Sequence, residues 1–385
     1  MNTPLRVPLM EVAPPTPSSW SPSPTEDVWL LNLDQVEPMS GAVLSRRKIK
    51  AGDVPTSTVA FDDTHVLYSK LRPNLNKVVL PSAAGYCTSE LLPLKPDPRR
   101  LDRVYLAHYL RSTAFVAWAV SRTDGAKMPR VKMDALREHC IPVLELTTQR
   151  RIAAILDNAD AIRRNRIRVV STVDEYLHSA FFELFGDPVG NSKGLPEKPI
   201  ADIATVTTGN TPSREIVAYY GDHIEWIKSD NINTPSHFLT KATEGLSEAG
   251  LRVARTAPAG STLITCIAGS PSCIGNAALA DRAISFNQQI NALTPKPGIE
   301  PEFIYAVTLF SKARIRAAST NGMKGMVSKG ALERVRFILP PKDQREKFVG
   351  IFRKAMALTK RLEYASRQAE ELYGSLSQRA FQGQL

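Results

Sequence analysis

One long helical pattern occurs twice in this chain, at residues 154–186 and 350–382, with an offset of 196 residues. In both stretches apolar residues recur in steps of three and four over about four heptads, which is the spacing of a coiled-coil seam. The residues expected to face one another across this seam are Ile155, Ile162, Val169, Ile351, Leu358 and Leu362. A helix of about 35 residues is about 50 Å long, longer than a small domain is wide. The alternative, an ordinary core helix in each domain, is less favoured because the seams are narrow and form a matched pair.

The helical match is part of an internal duplication. Pairs that correspond at this offset are Ile155 with Ile351, Ala159 with Ala355 and Phe185 with Phe381. Two Gln-Arg dipeptides, which start at Gln149 and Gln344, lie one residue out of this alignment. The simplest order is globular unit, helix, globular unit, helix. The predicted divisions are an N-terminal arm at 1–27, a first domain at 28–147, a first helix at 148–187, a second domain at 188–341 and a second helix at 342–385.

Charge and composition favour a polyanionic partner and argue against a membrane. The 385 residues include 49 Lys and Arg against 38 Asp and Glu, which gives a net charge of +11. Such a balance attracts nucleic acid, although many basic proteins bind none. The apolar runs are too short to span a bilayer, and the four cysteines lack zinc-site spacing. Residues 13–25 hold five prolines and four serines, so an extended or disordered arm is expected, with order beginning near residues 27–36.

In the first domain, the stretch "LYSKLRPNLNKVVL" at 67–80 concentrates basic and amide side chains among apolar ones. If the strand continues through Arg72, alternation places Lys70 and Arg72 on one face. Arginine and lysine suit phosphate or guanine, and asparagine suits adenine. Lys70, Arg72, Asn74 and Lys77 are therefore candidate DNA contacts. The alternative is an edge strand whose charges discourage aggregation.

In the second domain, a polar cluster follows the apolar strand "IEWI". Lys228, Ser229, Asp230 and Asn231 form this cluster, which is typical either of a recognition loop or of an ordinary Asx turn. Lys324 lies in a glycine-rich loop without phosphate-loop spacing and is a further candidate contact. The amides at 287–289 are suited either to base edges or to buried backbone groups. The sequence shows no motif for catalysis, and we expect no catalytic residue and no metal site in this chain.

Several segments together resemble the specificity subunits of type I restriction-modification systems. "LYSKLRPNLNKV", "GNTPSREIVAYYGDHIEWIKSDNI" and "ISFNQQINAL" resemble parts of target-recognition domains in that family. "TTQRRIAAILDNADAI" and "PPKDQREKFVGIF" resemble the entries to its two spacer helices, and "SAFFELFGDP" and "RAFQGQL" resemble their ends. The resemblance covers nearly all of the chain after residue 28.

This resemblance implies an α+β fold with two mixed α/β target-recognition domains separated by an antiparallel coiled coil of two long helices. It implies a non-catalytic, cytoplasmic, prokaryotic protein that reads a bipartite DNA sequence and directs adenine methylation. Two modification subunits would carry S-adenosylmethionine, and restriction subunits would cut DNA. The outward helix faces would dock the modification subunits, with Arg163, Arg164, Arg168, Lys354 and Lys360 as candidates. The alternative function is a coiled-coil scaffold that binds proteins and has no DNA specificity.

Overall fold

The computed structural model describes residues 5–320 and 325–385, apart from the side chains of residues 167, 168, 170 and 171. The chain forms two compact units, Met1–Val170 with Arg361–Leu385, and Ser171–Lys360. Each unit therefore contains one end of each long helix, and the domain divisions predicted from the sequence remain predictions. No helix in the described part of the chain is long and apolar enough to cross a bilayer.

The first unit combines two small sheets with short helices. In chain order its elements are β1 (Leu5–Pro8), α1 (Leu9–Val12), β2 (Asp27–Leu31), β3 (Arg47–Lys50), β4 (Thr58–Phe61), β5 (Val66–Ser69), β6 (Val78–Val79), β7 (Gly85–Thr88), β8 (Leu91–Leu94), α2 (Arg103–Arg111), α3 (Thr113–Ser121), β9 (Thr123–Asp124), β10 (Arg130–Val131), α4 (Met133–Glu138), β11 (Cys140–Val143) and α5 (Leu146–Phe185), which continues into the second unit. One sheet has the order β3-β2-β7-β4 with β2 parallel to β7, and the other has the order β6-β5-β8. β1 pairs with β11, and β9 pairs with β10.

The second unit repeats this topology with one additional strand in its second sheet. Its elements are β12 (Glu197–Pro199), α6 (Ile200–Ile203), β13 (Ala204–Thr208), β14 (Tyr220–Ile227), β15 (Gly245–Leu246), α7 (Glu248–Val253), β16 (Thr256–Ala257), β17 (Thr262–Thr265), β18 (Ile267–Ala268), β19 (Ala277–Leu279), β20 (Ile284–Phe286), β21 (Ile290–Pro295), α8 (Pro301–Phe310), α9 (Lys312–Ala317), β22 (Gly325–Met326), α10 (Lys329–Arg334), β23 (Arg336–Ile338) and α11 (Lys342–Phe381), which ends in the first unit. Its sheets have the orders β15-β14-β20-β16, with β14 parallel to β20, and β13-β21-β17-β19, in which β13 is the additional strand. The two domains have diverged in sequence on one common frame.

The N-terminal segment is part of this frame, and the expectation that order begins near residue 27 is wrong for residues 5–13. β1 pairs antiparallel with β11, and Leu9, Val12 and Ala13 are buried in the core of the first unit. The second unit contains the equivalent β12, which pairs with β23 and leads into α6. The overlooked signal is "VPLMEVA" at 7–13, which matches "KPIADIA" at 198–204 in its pattern of proline and apolar residues.

The two 40-residue helices α5 and α11 run antiparallel, as their packing within the first unit demonstrates. Near the start of α5, Ile152 and Leu156 share a buried cluster with Ala380 from the end of α11. About two turns further along α5, Arg163 donates a hydrogen bond at 3.3 Å to Glu370, which precedes Ala380 in α11. The sequence-based prediction of a fold with two long paired helices is confirmed.

Each unit is completed by the last turns of the helix that begins in the other unit. In the first unit, the ring of Phe381 lies edge-on to Tyr105 and Tyr109 of α2, with centroids 5.3 and 5.1 Å apart. In the second unit, the ring of Phe185 meets Phe303 of α8 and Phe348 of α11, both at 5.8 Å. Phe185 and Phe381 are corresponding residues of the duplication, so both repeats use the same aromatic contact.

The predicted seam is half correct. Several residues of the apolar pattern in the two helices are buried as predicted: Ile152, Ala159, Val173, Phe348, Ala355 and Ala369. Among the six residues expected to face one another, however, Ile162, Val169 and Leu358 are exposed, and Ile155, Ile351 and Leu362 are half-buried. The buried neighbours lie one residue further along, at Leu156, Arg163, Leu177 and Phe352. Apolar periodicity missed this register because a polar residue, Arg163, occupies one of the inward positions.

A buried polar residue ties the start of each long helix to its own domain. Gln149 donates to the carbonyls of Arg100 at 2.8 Å and Leu144 at 2.7 Å. Arg345, which corresponds to Gln149 at offset 196, donates to the carbonyls of Gly298 at 2.8 Å and Pro340 at 3.1 Å. The structural match is therefore Gln149 with Arg345, and the apparent slip of the Gln-Arg dipeptides does not represent an insertion.

The corrected seam predicts opposite outcomes for two substitutions in α5. Leu156→Ala should lower the free energy of unfolding by about 2–5 kcal/mol, because it opens a cavity at a fully buried position. Ile162→Ala, at a side chain that is 47% exposed, should change it by about 0.5 kcal/mol or less. Urea titration followed by circular dichroism measures both changes. A larger loss of stability for Ile162→Ala than for Leu156→Ala would support the seam predicted from the sequence and contradict the corrected one.

Candidate nucleic-acid interface and partner surface

The loop after β20, residues Asn287–Gln289, is the meeting point of several loops in the second unit. Before β14, the amide of Asn210 donates to the carbonyl of Phe286 at 3.0 Å. After β14, the hydroxyl of Ser229 donates to Oε1 of Gln289 at 3.4 Å. The amide of Cys266 donates to the carbonyl of Gln289 at 2.8 Å. These contacts bring the loops before β14, after β14 and after β17 together around the end of β20 and the loop that follows it.

The predicted cluster Lys228–Asn231 divides into structural and accessible residues. Asn231 is buried; its Oδ1 accepts from the amide of Lys228 at 3.0 Å, and its Nδ2 donates to the carbonyl of Lys241 at 3.1 Å. It therefore closes a turn, as the alternative interpretation of the sequence expected. Asp230 is exposed, and Ser229 faces Gln289. Lys324 lies outside the described residues.

A cation-aromatic cluster that the sequence did not reveal adjoins this loop region. The guanidinium of Arg214 lies over the rings of Tyr220 and Trp226, at 4.7 and 5.1 Å from their centroids. The ammonium of Lys228 lies 5.3 Å from the Trp226 ring. The carboxylate of Glu244 forms ion pairs with both cations, and its Oε2 lies 2.8 Å from Nη2 of Arg214. Its hydrogen bond with Lys228 holds the pKa of Glu244 below its ordinary value. Arg214 remains more than half exposed and available to a phosphate.

In the first unit, the predicted strand ends earlier than expected. β5 stops at Ser69, and Arg72 has a left-handed backbone conformation with φ of 48°. The strand does not continue through Arg72, so the condition under which alternation would place Lys70 and Arg72 on one strand face is not met. Both residues instead bond through their backbones to the segment around β10: the amide of Arg72 donates to the carbonyl of Pro129 at 2.7 Å, and that of Val131 donates to the carbonyl of Lys70 at 2.9 Å.

The side chains of the first candidate cluster have different roles. Lys77 turns inward and donates to the carbonyl of Leu33 at 2.5 Å, and burial lowers its pKa. Arg72 and Asn74 are exposed and Lys70 is half-buried. Within ranges 5–320 and 325–385, the side chains of Lys70 and Arg72 have no hydrogen-bond or ion-pair partner. Two cations that face solvent can contact phosphates, whereas Lys77 stabilises the fold.

Corresponding backbone contacts show that the two loop regions occupy the same place in the duplicated frame. The amide of Lys70 donates to the carbonyl of Glu90 at 3.0 Å, as that of Cys266 does to Gln289. The 3-10 turns Leu33–Gln35 and Ser229–Asn231 also follow β2 and β14 in the same way. The side chains at these places differ, with Glu90 paired to Arg130 at 2.8 Å in the first unit. One frame thus displays two different sets of donors, acceptors and charges.

The helix surface differs from the predicted basic docking face. Arg163 is buried, paired with Asp160 at 2.7 Å, and lies over the Tyr373 ring, so it cannot dock a partner. Arg164 pairs with Asp160 at 3.2 Å. Lys354 and Lys360 are exposed, and the side chain of Arg168 lies outside the described residues.

An apolar row occupies this surface on each helix instead. On α5 the exposed residues of the row are Ile162 and Val169 in the first unit, which are seven residues apart and share a face, and Tyr176 in the second unit. The corresponding positions on α11 include Leu358 and Leu372, both exposed. A duplicated apolar row is suited to two copies of one partner.

Comparisons with known proteins agree with this architecture. The family described as "Type I restriction modification DNA specificity domain" matches residues 193–369. The EcoDI specificity subunit of Escherichia coli is 22% identical over 156 residues, which is 40% of this chain and 34% of that protein. The HindI subunit of Haemophilus influenzae is 30% identical over 115 residues, 29% of this chain and 24% of that protein. The matched segments therefore span only a quarter to a third of these relatives.

Solved structures resemble the chain over almost its full length. The S subunit of the type I restriction-modification system of M. genitalium has a TM-score of 0.60 at 13% identity, and the match covers 98% of this chain and 96% of that one. A chain from a study of complex assembly in a type I system has a TM-score of 0.60 at 17% identity, with 100% and 98% covered. At these identities the structural matches establish the fold alone, and the sequence matches are confined to part of each relative. Residues 193–369 of this chain thus resemble the DNA specificity domain of type I restriction-modification systems in sequence, and the chain as a whole shares the fold of the M. genitalium S subunit.

Proposed function

We propose that this chain reads a bipartite DNA sequence and directs adenine methylation by partner subunits, without catalysing a reaction itself. The observation that carries this proposal is one α/β frame built twice, with different side chains in the corresponding loops. Each frame reads one half-site in the major groove, where all four base pairs can be distinguished. The basic side chains fix the register on phosphates without reading sequence.

The chemistry of methylation belongs to the partners in this proposal. Two modification subunits bind S-adenosylmethionine and transfer its methyl group, and restriction subunits, where present, cleave DNA. The duplicated apolar row on α5 and α11 supports two identical modification subunits, because each helix offers equivalent exposed residues at offset 196. The scaffold alternative would use the same helices but requires no contact between the loops and DNA.

Salt dependence distinguishes the DNA reader from the scaffold. Lys70→Ala and Arg72→Ala should each weaken binding to duplex DNA and reduce the slope of log K against log salt by about 0.9 for each phosphate that the variant no longer neutralises. Lys354→Ala removes the same charge from α11 and should leave the slope unchanged. Fluorescence anisotropy across a salt series measures all three variants. Equal slopes in the wild type and both loop variants would contradict the assignment of these loops to DNA.

The apolar rows predict where the modification subunits dock. Ile162→Asp combined with Leu358→Asp should abolish co-purification of co-expressed modification subunits, because a charge in an apolar interface is desolvated without a partner. Asn165→Asp combined with Gln378→Asp adds the same charges at other exposed positions of the helices and should preserve the complex. Size-exclusion chromatography measures assembly. An intact complex with the first pair, or its loss with the second, would rule out this docking surface.

A further inference from the structure

Among the three amides at 287–289, the structure leaves one free to face a ligand. Asn287 is buried, and its side chain bonds to its own loop: Oδ1 accepts from the amide of Gln289 at 3.1 Å, and Nδ2 donates to Oε1 of Gln289 at 3.3 Å. Oε1 of Gln289 also accepts from Ser229. These two amides therefore hold the loop together, whereas the intervening Gln288 is exposed.

Gln288 is held by one contact that leaves most of its hydrogen-bonding capacity unused. Its Oε1 accepts a hydrogen bond from the hydroxyl of Thr211, in the loop before β14. The carbonyl oxygen of an amide has a second lone pair, and its nitrogen carries two donors. Among the described residues, Nε2 of Gln288 has no partner. The side chain thus offers a donor and an acceptor side by side, fixed by Thr211.

We infer that Gln288 reads an adenine in the half-site bound by the second unit, an inference that rests on the proposed function. In the major groove adenine presents the N7 acceptor beside the N6 donor, which match Nε2 and Oε1 of a glutamine. Guanine presents two acceptors there, so it lacks the donor that Oε1 requires. The guanidinium of Arg214 lies over the Tyr220 ring in the same unit and remains exposed, so it supplies a cation for a phosphate of the DNA backbone.

The corresponding loop of the first unit carries different chemistry. Thr88, the last residue of β7, corresponds to Asn287, and the next two residues correspond to Gln288 and Gln289, so Ser89 stands in the place of Gln288. A serine hydroxyl is short and pairs with several bases. The adenine contact inferred for Gln288 therefore has no counterpart at the corresponding position of the first unit.

Mapping methylated adenines tests this inference. The chain is co-expressed with modification subunits in a host free of this methylation, and modified sites are compared between variants. Gln288→Ala should raise methylation of sites with another base pair at one position of one half-site by about tenfold or more relative to sites with adenine. Thr211→Val should relax the same position less strongly, because the amide remains but loses its fixed orientation. Gln288→Glu removes the donor to N7 and should reduce methylation at the adenine sites by at least about tenfold.

Ser89→Ala is the matched control, and any change that it causes should fall in the other half-site. An unchanged consensus in Gln288→Ala, or a change in the same half-site as Ser89→Ala, would overturn the inference while leaving the proposed function intact. A wild-type chain that directs no split consensus would instead contradict the proposed function. Circular dichroism of each variant excludes unfolding as the cause.

Discussion

The structure depends on the insertion of each long helix, through its last turns, into the core of the unit where the other helix begins. Phe381 completes the aromatic core around Tyr105, and Phe185 completes the one around Phe303. An aromatic side chain buries a large apolar area, so removing either ring would leave a core open. The two repeats are consequently interdependent: the lobe of one repeat is finished by a helix whose sequence belongs to the other.

This exchange explains why the helices have remained alike while the lobes have diverged. A helix that must fit two cores and one antiparallel seam accepts few changes, whereas loop side chains such as Gln288 and Ser89 contribute little to packing. The buried Arg163, paired with Asp160 and Glu370, adds a further constraint, because a charge in the seam requires its partners at matching positions. Under the proposed function, the loops are free to specify DNA because the helices carry the structure.

The sequence was sufficient to predict the two paired helices and the duplication, since both produce long-range periodicity that survives divergence. The sequence-based predictions failed where one local pattern is compatible with two different structures. Apolar residues at Ile162 and Leu358 belong to an exposed row, although their spacing is also that of a seam. The prolines near the N-terminus suggested disorder, yet Leu5–Ala13 supply a strand and core residues. Lys77 and Asn231 are residue types that often contact DNA. Both side chains instead turn inward, because the fold brings backbone carbonyls within hydrogen-bonding distance of them.

If the chain reads DNA as we propose, the length of the helix pair sets the distance between the two half-sites. Deleting residues 164–170 and the facing residues 363–369 removes one heptad from each helix, about 10 Å or three base pairs. Methylation mapping of the shortened chain, assembled with modification subunits, measures the gap directly. We expect the same two half-sites separated by about three fewer base pairs. Efficient methylation with an unchanged gap would show that the helix pair does not set this distance.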